Sequence, residues 1–345
     1  MKNNLRLPAE WELQSGVLLA WPPVNDYWRP VLADVRQAFF ALAREIAEDQ
    51  KLLLICEDRK LAEDYFKEQD INLSNIQFFE IPINDVWTRD YGPITVLEND
   101  KPVLLNFKFN AWGNKYSMPL DNAVCEKLNN FGAFNSPLKK LDIILEGGSI
   151  ESDGAGTLLT TARCLLNSNR NATASSWLEE NLKTHLGINK ILWLEHGFLC
   201  GDDTDAHIDT LARFCNKDTI CYQACDDATD EHYSELQKMA VELTKFRTAE
   251  NNPYHLIALP WPKAQYSRVN GERLPASYAN FLITNKKILL PTYNDPADQK
   301  ALQILQKCFP DRKIVGIDAR AIIEGFGSIH CVTMQLPQEV LSCNH

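Results

Sequence analysis

Short apolar runs alternate with amphipathic stretches along the whole chain, and the two periods separate cleanly. GVLLAWP (16–22) is apolar at successive positions and predicts a buried strand. Between Val31 and Asp49 the apolar residues Leu32, Val35, Phe39, Leu42 and Ile46 recur at helical spacing. KLLLICE and NIQFFEIPI predict two more strands around a short helix near Ala62–Gln69, and ITVLEND followed by KPVLLNFKFN predicts a hairpin turning at Glu98–Lys101.

The unit then recurs. GTLLTTARCLLN reads as a strand leading to a helix near Ser175–Leu186 and the strand KILWLE. IDTLARFCNKDTICYQA predicts a second hairpin, with a helix near Glu231–Phe246 and the strand YHLIALPWP behind it. ANFLITNKKILLPTY predicts a third, turning at Asn285-Lys286, before a helix near Pro296–Cys308 and the strand KIVGID. This order returns about every 55–75 residues, the mark of a repeat architecture, although the units share little identity. No Ser/Gly-rich linker interrupts it. The polar stretch 265–278 is the longest candidate loop, and long loops in compact domains are often functional. The expectation is one α/β domain, residues 1–345, of repeated ββαβ modules whose loops converge on a central site.

Composition narrows the class. The chain is 45% hydrophobic and 23% charged, as an ordinary globular protein is. Its N-terminus has no apolar signal core and no run approaches the ~18 apolar residues of a membrane span, so a cytoplasmic enzyme without a membrane partner is expected. The net charge of −11 and the lack of basic patches argue against nucleic acid. Ten cysteines lie scattered with no CxxC pair and read as reduced thiols. Cys215, Cys221 and Cys225 lack zinc-ligand spacing.

Four segments carry candidate chemistry. Cys331 follows His330 and sits between Gly325/Gly327 and the apolar VTMQL, where small residues allow an exposed nucleophile. GDDTDAHIDT packs Asp202, Asp203, Asp205, His207 and Asp209 together; on a strand, His207 and Asp209 would share a face. Asp90 stands in WTRDYGP behind Trp87, and Glu146 opens EGGSIESDGAGT. Gly147-Gly148 lacks the rest of any phosphate-loop pattern. Each has a bland alternative: a half-buried thiol, an acidic loop or divalent-metal site, a surface turn, a core tryptophan.

Taken together, PAEWE with LLAWP, W-x-RD-x-GP, EGG with DG-x-GT-LLTT-x-x-CLL-x-x-x-RN, DDTD-x-H-x-D and a late HC resemble the agmatine deiminase and bacterial peptidylarginine deiminase family of the guanidine-modifying superfamily. The resemblance runs nearly the full length. It implies a five-bladed, pseudo-symmetric α/β propeller of the pentein type and hydrolytic deimination of a small cationic guanidine through a covalent cysteine thiouronium. Agmatine would yield N-carbamoylputrescine and ammonia, a step toward putrescine. No cofactor or metal is implied, and a homodimer is. By the same resemblance Cys331 is the nucleophile, His207 the general acid/base, Asp90 and Asp209 the guanidinium-gripping carboxylates and Glu146 the acid beside the histidine, holding it charged. Trp87 lies near the substrate, and Asp203 near its distal end.

Two positions depart from the family pattern: Ala206, commonly Gly, and EGFGSIHC in place of a glycine-rich run. Both bear on the substrate tail. For free arginine, a cation such as Arg89, Arg213 or Arg273 would be needed instead. The rival classes are a thiol amidohydrolase, a metal hydrolase built on Asp202, Asp205, His207 and Asp209, and a non-catalytic guanidine binder.

Overall fold

The computed structural model describes residues 4–69, 71–171 and 174–341. Five times an antiparallel strand pair is followed by a helical crossover and a returning strand parallel to the second of the pair. Ile94–Glu98 pairs antiparallel with Lys101–Lys108, which runs parallel to Leu138–Ile144. The same holds for Ile150–Ser152, Thr157–Thr161 and Lys190–Leu194; for Ala212–Asn216, Thr219–Gln223 and His255–Leu259; and for Leu282–Ile283, Lys287–Thr292 and Lys313–Asp318. The fifth sheet joins the two chain ends: Thr333–Pro337 pairs antiparallel with Gln14–Ala20, which runs parallel to Lys51–Cys56 and then Ile76–Glu80.

Local chemistry explains the elements. Glu98 lies opposite Lys101, and Asn99 and Asp100 both adopt positive φ (51° and 63°), the geometry of a tight hairpin turn. The helix Leu32–Ala47 buries Val35, Phe39, Leu42 and Ile46 completely against the strands Lys51–Cys56 and Lys313–Asp318. The helix Pro296–Cys308 starts with Asp295 as its cap, Asp298 returning a bond to the Asp295 backbone. Among the described residues no helix is long and apolar enough to cross a membrane.

The sequence reading needs four corrections. Only Thr157–Thr161 of GTLLTTARCLLN is strand, because the Thr161 hydroxyl accepts from the Cys164 N–H and starts a helical turn. EGGSIESDG hides the short strand Ile150–Ser152, and the stretch 265–278 folds in part as a small hairpin, Gln265–Tyr266 with Arg273–Leu274. His207 and Asp209 are not on a strand: Ile208–Thr210 forms a single helical turn, and the strand begins at Ala212.

One regularity positions the site. The segment that enters each new strand pair ends in a polar side chain within four residues of the first strand. Asp90 precedes Ile94, Glu146 precedes Ile150, Asp209 precedes Ala212, Asn280 precedes Leu282 and Cys331 precedes Thr333. Away from it, replacing Asp295 by Ala should cost about 1 kcal/mol of stability, read from the urea midpoint, with activity per folded molecule unchanged. An unmoved midpoint would show that the cap adds nothing.

Candidate active site

The side chains from these junctions meet. A Cβ placed on Gly148 would lie 2.7 Å from His207 Nδ1, 2.8 Å from Asp90 Oδ1 and 3.1 Å from Asp209 Oδ2, so only a glycine leaves the room they share. His207 Nδ1 is 3.6 Å from Asp90 Oδ1, and the Cys331 sulfur is 3.7 Å from Asp209 Oδ2. Glu146, His207 and Cys164 bring their polar atoms within 4.8 Å of one another. The sulfur from the far end of the chain therefore reaches the acidic groups set by its first two-thirds.

Burial governs the charges here. Asp209, Glu146 and His207 are at most 1% exposed, Asp90 4% and Cys331 6%. Desolvation lifts the Asp90 carboxyl well above its ordinary range, the charge of Asp209 adds to this, and the Trp112 indole N–H (2.9 Å) offsets it only in part. Burial also pushes Asp209 upward, but the His330 ring, 2.7 Å from its Oδ2, more than reverses that and leaves it below the usual value. Burial raises Glu146 against the pull of Arg170, whose Nε donates to Oε1 at 3.0 Å. His207 is driven down to about 3 by burial, against the attraction of Asp209. The Cys331 thiol is raised well above its ordinary value by burial first, then by Asp209 and Asp90.

The free site thus holds a neutral imidazole and a protonated thiol. The expectation that Glu146 keeps His207 charged is not met, because Glu146 spends its charge on Arg170 and the ring is dry. Four polar atoms are left without partners: both nitrogens of His207, Asp209 Oδ1 and Glu146 Oε2. Each costs about 1–3 kcal/mol when buried and unpaired. Such a concentration marks a place completed by a ligand.

The cavity above them holds about 310 Å³. Cys331, His207 and Asp90, all nearly fully buried, form its floor; Trp87, Trp112, Tyr27, Tyr116 and Phe326 also line it, as do Asp85, Asp202 and Asp203. Among the described residues that line it there is no lysine or arginine. Arg89 and Arg213 are buried in the core, Arg273 pairs with Asp230 and Glu231, and Lys115 is committed to Asp205 at 2.9 Å and to the Asp203 carbonyl. Trp87 packs against Trp28 at 6.1 Å between ring centroids, and a Cβ on Gly327 would strike it at 2.3 Å. The Asp203 carboxylate accepts from the Tyr116 hydroxyl at 2.7 Å. The two departures both sit at left-handed backbone, Ala206 at φ 68° and Phe326 at φ 66°.

Sequence reasoning missed Trp112, Tyr116, Arg170 and Asn280. Asn280 clamps the loop that carries Cys331: its Oδ1 accepts the backbone N–H of His330 (3.0 Å), and its Nδ2 donates to the Cys331 sulfur (3.2 Å). Its position just before a strand pair was the signal available. Arg170 stood inside the quoted CLL-x-x-x-RN. For metal binding the arrangement is poor. Asp202 accepts the backbone N–H groups of Thr204 and Ala206, and Asp205 is held by Lys115 and Arg170.

Comparison with known proteins supplies the lineage. The profile of Porphyromonas-type peptidyl-arginine deiminases matches residues 6–337. The chain belongs to this family. A relative from Marinomonas sp. (strain MWYL1), assigned as an agmatine deiminase, is 36% identical over 363 residues, covering 98% of this chain and 95% of its own. The agmatine deiminase of C. jejuni, solved with substrate bound, superposes with a TM-score of 0.90 at 40% identity over 98% of this chain and 97% of its own. That of Enterococcus faecalis gives 0.89 at 30%, over 98% and 97%. A dimethylarginine dimethylaminohydrolase shares the mixed α/β fold alone, with a TM-score of 0.54 at 10% identity over 94% of this chain and all of its own.

For this family member, Gly148→Ala should remove the common space of the three side chains. Steady-state assay should show activity falling at least 100-fold while stability falls by about 1–3 kcal/mol, the usual range for overpacking. Retained activity would mean that the groups do not converge in solution.

Proposed function

We propose that this protein hydrolyses agmatine to N-carbamoylputrescine and ammonia, and that its five three- and four-stranded sheets form one five-bladed α/β propeller, residues 1–345, around the site. The observation that carries the substrate is the cavity lining: several carboxylates, aromatic faces and, among the described residues, no cationic side chain. Agmatine is cationic at both ends. A guanidinium suits the floor, and an ammonium suits aromatic faces beside Asp203. Free arginine would bring an α-carboxylate to a wall that offers it nothing positive.

In this reading Asp90 and Asp209 grip the terminal nitrogens and set the guanidinium carbon before Cys331. The cation also changes the thiol. A unit charge ~4 Å away at an effective dielectric near 20 is worth ~4 kcal/mol, roughly three pK units. The thiol proton passes to the neutral His207, and the sulfur, with Asn280 Nδ2 donating to it, adds to the carbon. The imidazolium then protonates one nitrogen of the tetrahedral adduct. The C–N bond breaks and ammonia leaves, with an S-alkylthiouronium on Cys331. Neutral again, His207 takes a proton from water; hydroxide adds to the carbon, the C–S bond breaks, the hydroxyl proton passes to the sulfur, and His207 releases its proton to solvent as the neutral ureido product departs. Glu146, anchored by Arg170, steadies His207 from behind. Trp87 walls the guanidinium plane.

The test is ammonia release from agmatine, arginine and a peptidyl-arginine amide. Agmatine should be turned over with kcat/KM at least 100-fold above the others, without inhibition by EDTA, and Cys331→Ser should be inactive. Preference for arginine, or loss of activity on chelation, would contradict the proposal.

A further inference from the structure

The mechanism above leaves two buried groups unused, Glu10 from the PAEWE segment and the His330 ring. We propose that they are positioning residues: Glu10 holds His330 as a doubly protonated donor, and His330 holds Asp209 ionised with one oxygen turned to the guanidinium. This rests on the deiminase reading and goes beyond it by tying the N-terminal segment to substrate binding.

Geometry carries the inference. His330 Nδ1 lies 2.7 Å from Asp209 Oδ2, and Nε2 lies 2.7 Å from Glu10 Oε2. A carboxylate only accepts, so a ring bridging two carboxylates at these distances donates from both nitrogens, as an imidazolium does. Glu10 is itself immobilised: its Oε2 also accepts from Arg213 Nη2 at 2.7 Å and its Oε1 from the Ile283 N–H at 2.7 Å. The chain Glu10–His330–Asp209 is therefore rigid and fully buried. It uses one oxygen of Asp209 and leaves the other, Oδ1, without a partner. That free oxygen is the one available to a ligand.

The surrounding charges divide by side. Arg213, Glu151 and Arg89 face Glu10, whereas Asp90, His207 and Cys331 face Asp209. Without the His330 charge, Asp209 has burial and Asp90 acting against its ionisation and, with His207 neutral, the Arg213 charge in favour. Its protonation then persists to higher pH, and substrate binding is lost from the acid side first.

The experiment compares wild type, His330→Ala, His330→Asn and Glu10→Gln in three readouts: kcat/KM for agmatine against pH, thermal melting, and calorimetric binding of agmatine in a Cys331→Ser background. His330→Ala should lower kcat/KM roughly 10- to 100-fold, the size of one charge-assisted hydrogen bond, mainly through KM. Its acid limb should move to higher pH, with binding weakened in parallel. His330→Asn keeps a donor toward Asp209 and should recover part of the affinity, but its acid limb should still be displaced. Glu10→Gln should displace it too. If His330→Ala does not fold, the Asn and Gln variants carry the same test. Wild type active on agmatine, with the acid limb unmoved in every folded variant and only the melting point lowered, overturns this inference alone. Wild type inert toward every guanidine overturns the deiminase reading and this inference with it.

Discussion

Asp90 and Asp209 put two carboxyl groups beside the same glycine in a space that excludes water, and that pairing shapes the rest of the site. Two like charges so close cannot both ionise cheaply. The protein resolves the conflict unequally, supporting Asp209 through His330 and leaving Asp90 with only an indole and an amide N–H. Burial and the same negative potential hold the Cys331 thiol in its protonated form, whereas burial, against that potential, keeps the His207 ring neutral. In the proposed reading a bound guanidinium would pair with both carboxylates, relieve the conflict between them and favour a thiolate on Cys331. Reactivity would then be switched on by the substrate's own charge.

The architecture keeps this strained arrangement in place by drawing on the whole chain. Each module delivers its polar residue at the entry to a strand pair, where backbone direction is fixed by the following ladder. Beneath the floor, Arg213 donates to Glu151, Glu10 and the Phe281 carbonyl, joining three segments distant in sequence. Arg89, next to Asp90, ties its helix to Gln335 and to the His330 carbonyl. Removing one member of such a buried ionic lattice leaves the others unpaired, which is why its cost far exceeds that of a surface pair.

Much of this was legible in the sequence because the period of the hydrophobic pattern is strong. The hairpin at Glu98–Lys101 and the helix Pro296–Cys308 come straight from spacing and turn residues. Glu146 and His207 were legible as chemistry because EGG and DDTDAHID are unusual strings. The strand assignment for His207 and Asp209 failed because Asp205 and Ala206 take left-handed backbone just before them, a turn that no apolar period signals. Their side chains still converge, through a helical turn rather than strand alternation. Asn280 was missed because a lone Asn inside ASYANFLI carries no pattern of its own; only its place just before a strand pair marked it. The charge state of His207 was misjudged for a physical reason: sequence proximity says nothing about desolvation, nor that Arg170 would claim Glu146.

The central claim is that the nucleophile ionises only when the cation arrives. The most direct measurement is the ultraviolet thiolate band at neutral pH, recorded for wild type and Cys331→Ser with and without a non-hydrolysable guanidine. The band should be absent from the free protein, appear when the guanidine binds, and be missing from the serine variant throughout. A Cys331 thiolate already present in the free protein at neutral pH would contradict the account.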